Sequence, residues 1–325
     1  HVSENEGQSW KIISPDLTRN DPKKLKSSGG PITQDNTGVE YYSTLFAASE
    51  SRLADKEIWV GSDDGLVHLT RDGGDSWNNI TPPQAPKFLM INSIETSFFK
   101  SGEAYIAGTS YKMGDFKPYL FKTNDYGKTW KKIVNGIKSE HFTRVLRSDP
   151  ARKGLLYAGT ESGLYVSYDD GESWSSFQKN LPIVPITDIT IKDNSLIVAT
   201  QGRGIWILDD LTVLHQINDS TVNNQINLFA PKDSYRMRGS GGKSSKTAGT
   251  NIENGVIVYY NIKNYDSSKD SISLSFSTSE GNLIKTFSNH DKVNILKVNK
   301  GSNKFVWDIK HDGAEILDGM IFWSA

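Results

Sequence analysis

Leu155–Trp174, LLYAGTESGLYVSYDDGESW, is the stretch from which the fold can be read. Leu155 and Tyr157, then Leu164 and Val166, alternate at the two-residue period of a half-buried sheet, and the Gly159–Gly163 segment reverses the chain between them. A second reversal follows at Ser167-Tyr-Asp-Asp-Gly-Glu-Ser-Trp174. Here Asp169 can accept backbone N–H bonds, Gly171 tolerates the positive φ that closes a turn, and Ser167 adds a hydroxyl. Trp174 brings a large apolar body to bury beside the hairpin.

The pattern recurs. Thr70, Asp72, Gly74 and Trp77 hold the same offsets in one copy, and Thr123, Asp125, Gly127 and Trp130 hold them in another. Ser3, Asn5, Gly7 and Trp10 form a fourth copy, with Asn in place of Asp. Successive tryptophans from Trp77 to Trp130 and Trp174 lie about 53 and about 44 residues apart, the period of propeller blades. The pattern [ST]-x-D-x-G-x-[ST]-W resembles the Asp-box, or BNR repeat, of sialidases, sortilin-type propellers and two-propeller xyloglucan-cleaving glycosidases. The surrounding wording (WVGSDDGLVHLTRDGGDSW, QGRGIWILDD) is similar to bacterial sortilin-type propeller proteins labelled glycosyl hydrolase by similarity. The resemblance covers about the first two-thirds of the chain; it implies the fold strongly and an activity weakly.

A chain of 325 residues suggests two domains. With 37 Lys+Arg against 38 Asp+Glu, no charge excess argues for nucleic acid or an anionic membrane surface. No apolar run has the length of a membrane span, and no signal peptide opens the chain. Cysteine is absent, which excludes disulfides, thiolate metal sites and the cysteine-rich module that follows animal sortilin propellers. The expected architecture is all-β: propeller blades over 1–215, a connector over 216–250, and an Ig-like sandwich over 251–325. First strands of blades are expected at Tyr41–Ala47, Ile91–Thr96, Phe142–Leu146 and Ile186–Ile191, with Ser14–Gly38 as a long loop between blades. After Leu208 the turn motif gives way to Asp209-Asp210-Leu211, the mark of a terminal repeat. A short helix is expected at Leu211–Ile217, an extended run at Asn227–Met237 and a linker at Arg238–Thr250. Sandwich strands are expected at Val256–Tyr260, Ser271–Ser277, Leu283–Phe287 and Asn303–Ile309, the second with Ile272, Leu274 and Phe276 on one face. Both termini read as interrupted, so further blades of the same polypeptide and an export signal are expected upstream.

Asp72, Asp125 and Asp169 invite a reading as catalytic carboxylates or calcium ligands. The structural role is favoured, because each repeats one position in its own copy and no turn supplies the oxygen set and distal Glu of a calcium loop. Functional residues are expected where repeats differ. Asp63-Asp64, the insertion Ser110–Pro118, Glu161-Ser162 and Gln201–Gly204 align on one rim. Thr44, Ser93, Arg144 and Asp188 align at one position of the first strands. Tyr111, Lys112, Asp115 and Phe116 of the insertion, with Arg144 and Arg203, are the ligand-binding candidates, an aromatic platform for a sugar or peptide; the insertion could equally pack over a neighbouring blade or the second domain. Asp63, Asp64, Glu161 and Asp188 are the candidates for a glycosidase pair, whose separation must be about 5 Å or about 6.5–9.5 Å. Arg144, Arg147 and Arg203 match no sialidase spacing. Gly242-Lys243-Ser244 fails as a phosphate loop because Met237 stands where glycine is required. Gly202-Arg-Gly204 lacks the third glycine of a dinucleotide fingerprint, and the six histidines show no ligand spacing, so neither metal nor cofactor is expected.

The function expected is an extracytoplasmic propeller that binds a glycan or an envelope protein, with secretion implied by the resemblance. The alternatives are a glycoside hydrolase of xyloglucanase or sialidase type and a scaffold subunit of an envelope assembly.

Overall fold

A computed structural model describes residues 1–35, 37, 41–236, 252–311 and 319. The chain divides into two compact units, His1–Leu208 and Asp209–Ala325. Among the described residues no helix is long and apolar enough to cross a membrane.

The first unit consists of small antiparallel sheets whose strands run in chain order. One holds β1 (Leu45–Glu50), β2 (Ile58–Ser62), β3 (Val67–Thr70) and β4 (Asn78–Asn79). The next holds β5 (Met90–Thr96), β6 (Ala104–Ser110), β7 (Asp115–Thr123) and β8 (Lys131–Lys132). A third holds β9 (Thr143–Ser148), β10 (Leu156–Thr160), β11 (Gly163–Ser167) and β12 (Ser175–Ser176). The last has three strands, β13 (Ile186–Lys192), β14 (Ser195–Thr200) and β15 (Ile205–Leu208). First strands stand side by side. Ser49 of β1 bonds Thr96 of β5 at 3.2 Å, and Arg147 of β9 donates to Ser93 of β5 at 2.7 Å and to the Ile189 carbonyl of β13 at 3.0 Å. Meanders stacked through their first strands are the blades of a β-propeller.

Apolar alternation fills the space between blades. Trp59, Leu69, Ile91, Ile106, Phe121 and Trp130 form one buried cluster, and Leu120, Ile133, Leu146, Leu156, Tyr165 and Trp174 belong to the next. The sheets approach closely at Gly159, where a Cβ would lie 2.6 Å from Ile186 Cγ2 and 2.7 Å from Val145 Cγ1.

Each eight-residue turn is closed by the same bonds. In the third blade Ser167 donates to Asp169 Oδ1 at 2.7 Å, and the Gly171 N–H reaches Ser167 Oγ at 2.9 Å. The Ser173 N–H and hydroxyl then donate to the two Asp169 oxygens at 2.9 and 2.5 Å. The copies at Asp72 and Asp125 repeat the set. At Asn5 the amide donates to Ser9 Oγ instead, at 2.9 Å. The residue before the glycine is also left-handed: φ is 56° at Glu6, 78° at Gly73, 62° at Tyr126 and 63° at Asp170. The tryptophans then tie one blade to the previous one. Trp77, Trp130 and Trp174 donate from Nε1 to the carbonyls of Ile13, Ile80 and Ile133 at 2.8, 2.7 and 2.8 Å.

Several element bounds differ from expectation. β1 starts at Leu45 rather than Tyr41, because the Thr44 N–H is held by the Asp63 carboxylate outside the ladder. Part of the insertion is strand: Ser110 pairs Asp115, so β7 already runs through Pro118.

The second unit opens with two short helices, α1 (Thr212–Gln216) and α2 (Asp219–Asn223). β16 (Ile226–Leu228), β17 (Val256–Ile262) and β20 (Gly301–Trp307) form one sheet, and β18 (Ser273–Ser277) pairs with β19 (Leu283–Ser288). Phe276 meets Trp307 with ring centroids 4.4 Å apart, and Phe287 meets Phe305 at 4.6 Å, so the hairpin packs on the sheet through aromatic rings. The expected run Asn227–Met237 is strand only to Leu228 in its described part, and β20 stops before Ile309, whose φ is 57°. The expected linker Arg238–Thr250 and the terminal run Ile321–Ala325 lie outside the described residues.

Candidate functional site

The four first-strand residues aligned by sequence do not share a register. Thr44 precedes β1, Ser93 pairs with Ala107, and Asp188 pairs with Ala199. Arg144 falls in a bulge opposite Gly159 and Thr160. Every first strand carries such an irregularity, so counting residues across blades slips by one. The true counterparts of Ser93 are Ala48, Leu146 and Ile189, opposite Val60, Ala158 and Val198.

The rim alignment rests on backbone bonds. The Asp63, Glu161 and Gln201 N–H groups donate to the carbonyls of Thr44, Phe142 and Pro185, each bond joining the residue just after a second strand to the residue just ahead of its first strand. Onto this rim the insertion folds as a 3-10 turn at Tyr111–Met113, ended by Gly114 in the left-handed region. Tyr111 stacks on Phe142 of the next blade, centroids 5.1 Å apart and planes 15° from parallel, and Phe116 tilts against the same ring at 6.1 Å. Phe142 is buried, while Phe116 is 53% exposed. Arg144 lies over Phe142 at 5.4 Å and pairs with Glu161, Nε at 2.7 Å and a terminal nitrogen at 2.6 Å both meeting the same carboxylate oxygen. The insertion thus packs on its neighbour and still leaves an aromatic and charged surface open.

On the other side of the 3-10 turn is a cleft of about 280 Å³, lined by Lys24, Tyr42, Asp63, Phe88, Met90, Thr109, Ser110, Lys112 and Met113. Lys24 sits 4.5 Å and Lys87 5.2 Å from the Phe88 centroid. Burial first, then the charges of Asp64 and Asp63, raise the Tyr42 pKa, so its hydroxyl stays a neutral donor. Asp115 is turned inward: it accepts from Tyr119 Oη at 2.5 Å and the Lys117 N–H at 3.1 Å. Burial lifts its pKa, but the Tyr119 bond, the Lys117 N–H and nearby lysines outweigh that and leave it lowered. Burial and the bond to Asp115 push Tyr119 up to about 12.

The carboxylate candidates are all partnered. Asp64 is buried, accepting from Ser62 at 2.6 Å and the Arg19 N–H at 2.8 Å, which holds it as a brace for the loop over the rim. Asp63 accepts from the Thr44 N–H at 2.8 Å, and Asp188 accepts from Arg147 at 2.8 Å. Arg203 is exposed, its carbonyl accepting from Trp206 Nε1 at 3.0 Å. The turn aspartates Asp72, Asp125 and Asp169 are bonded within their own turns in separate blades. Hydrogen bonds from Ser76 and Thr129 hold Asp72 and Asp125 below the ordinary range. At Asp169 burial pulls upward, and the bonds from Ser173 and Ser167 outweigh it to the same effect. Among the described residues no three His, Asp or Glu side chains gather as metal ligands.

Sequence reasoning missed Phe142 as part of this region, and Glu95 as a buried charge elsewhere in the second blade. Phe142 was legible only as a strand opener, because its partners come from an insertion a blade away. Glu95 is buried between Arg52 and Arg147, each 3.9 Å away. Burial raises its pKa against the pull of the two guanidinium groups.

No protein-family model matches the chain. A segment of 120 residues is 29% identical to an oligoxyloglucan-reducing end-specific xyloglucanase of Emericella nidulans, covering 35% of this chain and 14% of that enzyme. The chain therefore spans about one-seventh of the length of that curated relative. Among solved structures, YCF48 from Cyanidioschyzon merolae aligns with TM-score 0.39 and 19% identity over 51% of this chain and 53% of that one. The GH74 xyloglucanase from Xanthomonas campestris gives 0.39 and 16%, over 50% and 28%. The Niastella koreensis GH74 enzyme gives 0.41 and 14%, over 67% and 35%.

Proposed function

We propose that this chain is a glycoside-hydrolase-like Asp-box propeller, exported from the cytoplasm, whose rim binds a glycan chain. The observation that carries the reading is the platform at Tyr111, Phe116 and Phe142. A buried ring holds two others in place, one of them half open, beside the fixed Arg144–Glu161 pair and the Lys24–Lys112 cleft. A sugar presents an apolar face edged by hydroxyls, which suits rings flanked by charged donors and acceptors. The xyloglucanase match makes a β-glucan with branches the first ligand to try. The second unit, read as an Ig-like module, serves as spacer.

Calorimetric titration with xyloglucan oligosaccharides tests this. Phe116→Ala should weaken binding about tenfold, the worth of one aromatic contact. Tyr111→Ala should do the same by releasing the platform. Absence of binding to any glucan on an array, or unchanged affinity in both variants, refutes the assignment.

A hydrolytic second reading is favoured by the same match. Asp63 and Glu161 hold equivalent rim positions two blades apart and are its candidates. Release of new reducing ends that disappears in Asp63→Asn or Glu161→Gln would establish it.

A further inference from the structure

The cleft beside the 3-10 turn gathers positive charge without a matching acid. Phe88, half-buried in its wall, has three cations around one ring. Lys24 Nζ lies 4.5 Å from the centroid, Lys87 Nζ 5.2 Å and the Arg19 guanidinium carbon 5.7 Å. Lys112, from the insertion, adds a fourth cation to the lining. Attraction to the ring holds an ammonium group in place and leaves its N–H donors unspent. Among the described residues no carboxylate forms an ion pair with Lys24, Lys87 or Lys112.

The acids nearby are engaged by other donors. Asp63, in the same lining, accepts from the Thr44 N–H at 2.8 Å and the Thr44 hydroxyl at 3.3 Å. Asp64 is buried and bonded to Ser62 and the Arg19 N–H, and Asp21 accepts from the Lys23 N–H at 3.0 Å. Arg19 itself is fixed by the carbonyls of Asp64 and Gly65, at 2.8 and 3.3 Å. Tyr42 adds a hydroxyl that stays protonated, and Phe88, Met90 and Met113 give the cleft an apolar wall. Charged donors beside an apolar wall suit an anion carried on a ring better than a bare ion, whose hydration the wall could not replace.

We infer that this cleft takes the acidic group of a charged glycan, a carboxylate or sulfate ester on a sugar. Lys24, Lys112 and Tyr42 donate to the anionic oxygens, and Phe88 faces the ring that carries them. The insertion joins this position to the aromatic platform, since Tyr111 stacks on Phe142 while Lys112 and Met113 line the cleft. A chain crossing the 3-10 turn touches both. The inference rests on the glycan reading above and adds a charge to its ligand.

Calorimetric titration of the whole chain tests it with three probes of equal length: an oligogalacturonate, a sulfated galactan fragment and a neutral glucan fragment. At low salt an acidic probe should bind about 30-fold tighter than the neutral one, the worth of one hydrogen bond to a charged group. High salt should shrink that preference. Lys24→Gln and Lys112→Gln should each narrow it about fivefold, and the double variant should abolish it. Both side chains are exposed, so thermal unfolding should not move. Whichever acidic probe binds tighter identifies the source of the charge. Equal affinity for acidic and neutral probes, or a preference that both substitutions leave intact, overturns the inference and leaves the glycan reading standing. Failure to bind any glycan removes both. An oligoglutamate peptide that binds more tightly than either acidic saccharide overturns the assignment to a sugar.

Discussion

The tryptophan series offers a graded test of where these turns act. Trp10, Trp77, Trp130 and Trp174 share one motif, but their burial does not match: Trp10 is 63% exposed, Trp130 and Trp174 only 8% and 4%. Trp174 also holds the Ile133 carbonyl at 2.8 Å across two blades. Trp174→Ala removes that bond and leaves a cavity among Leu120, Ile137 and Tyr165, a loss of about 3–5 kcal/mol. With a urea dependence of about 2 kcal/mol per molar, the midpoint should fall by about 2 M. Trp174→Phe keeps most of the apolar body and should cost about 1–2 kcal/mol. Trp10→Ala in dilute protein should cost less than about 0.5 kcal/mol. The assay is equilibrium urea unfolding followed by far-UV circular dichroism at low protein concentration. Equal losses at Trp10 and Trp174 would refute the reasoning, since the tryptophan would then act inside its own turn and not between blades.

Further outcomes can be checked alongside. The turn aspartates have lowered pKa values when folded, so below the ordinary carboxylate range the unfolded chain binds more protons and stability falls as pH drops through about 4. Asp125→Asn should flatten that acid limb in unfolding measured against pH. Glu95 behaves oppositely: with its pKa raised, stability falls as pH climbs from about 4.5 through the folded pKa. Arg147→Met removes one counter-charge, so the variant should lose more stability at pH 8 than at pH 5. Gly171→Ala places a Cβ 2.7 Å from Ile133 Cδ1 at a φ of +87° and should cost about 2–3 kcal/mol by thermal unfolding.

The repeat was legible because its determinants are local. Ser167, Asp169 and Gly171 bond to one another within five residues, so composition at fixed offsets is sufficient to find them. The register was not legible, because a bulge leaves no mark in residue type: Arg144 and Ser93 align by eye and differ in the ladder. The rim was half legible. Tyr111 and Phe116 stand out as an interruption of the repeat, whereas their partner Phe142 looks like any strand residue. Long-range charge placement was invisible altogether. Nothing near Glu95 in the sequence announces Arg52 and Arg147, which arrive from the blades on either side.

The division of labour between turn and tryptophan has a consequence for how the molecule comes apart. Bonds that close a turn are confined to eight residues, while the indoles of Trp77, Trp130 and Trp174 reach beyond their own turns to the preceding repeat and add to the apolar packing between blades. β6 and β10 are buried throughout, whereas β14 is buried at only some of its positions. Amide hydrogens on β6 and β10 should therefore exchange slowest, and those on β14 should exchange first. Protection that differs from sheet to sheet, not a single cooperative value, is the signature to expect in exchange experiments.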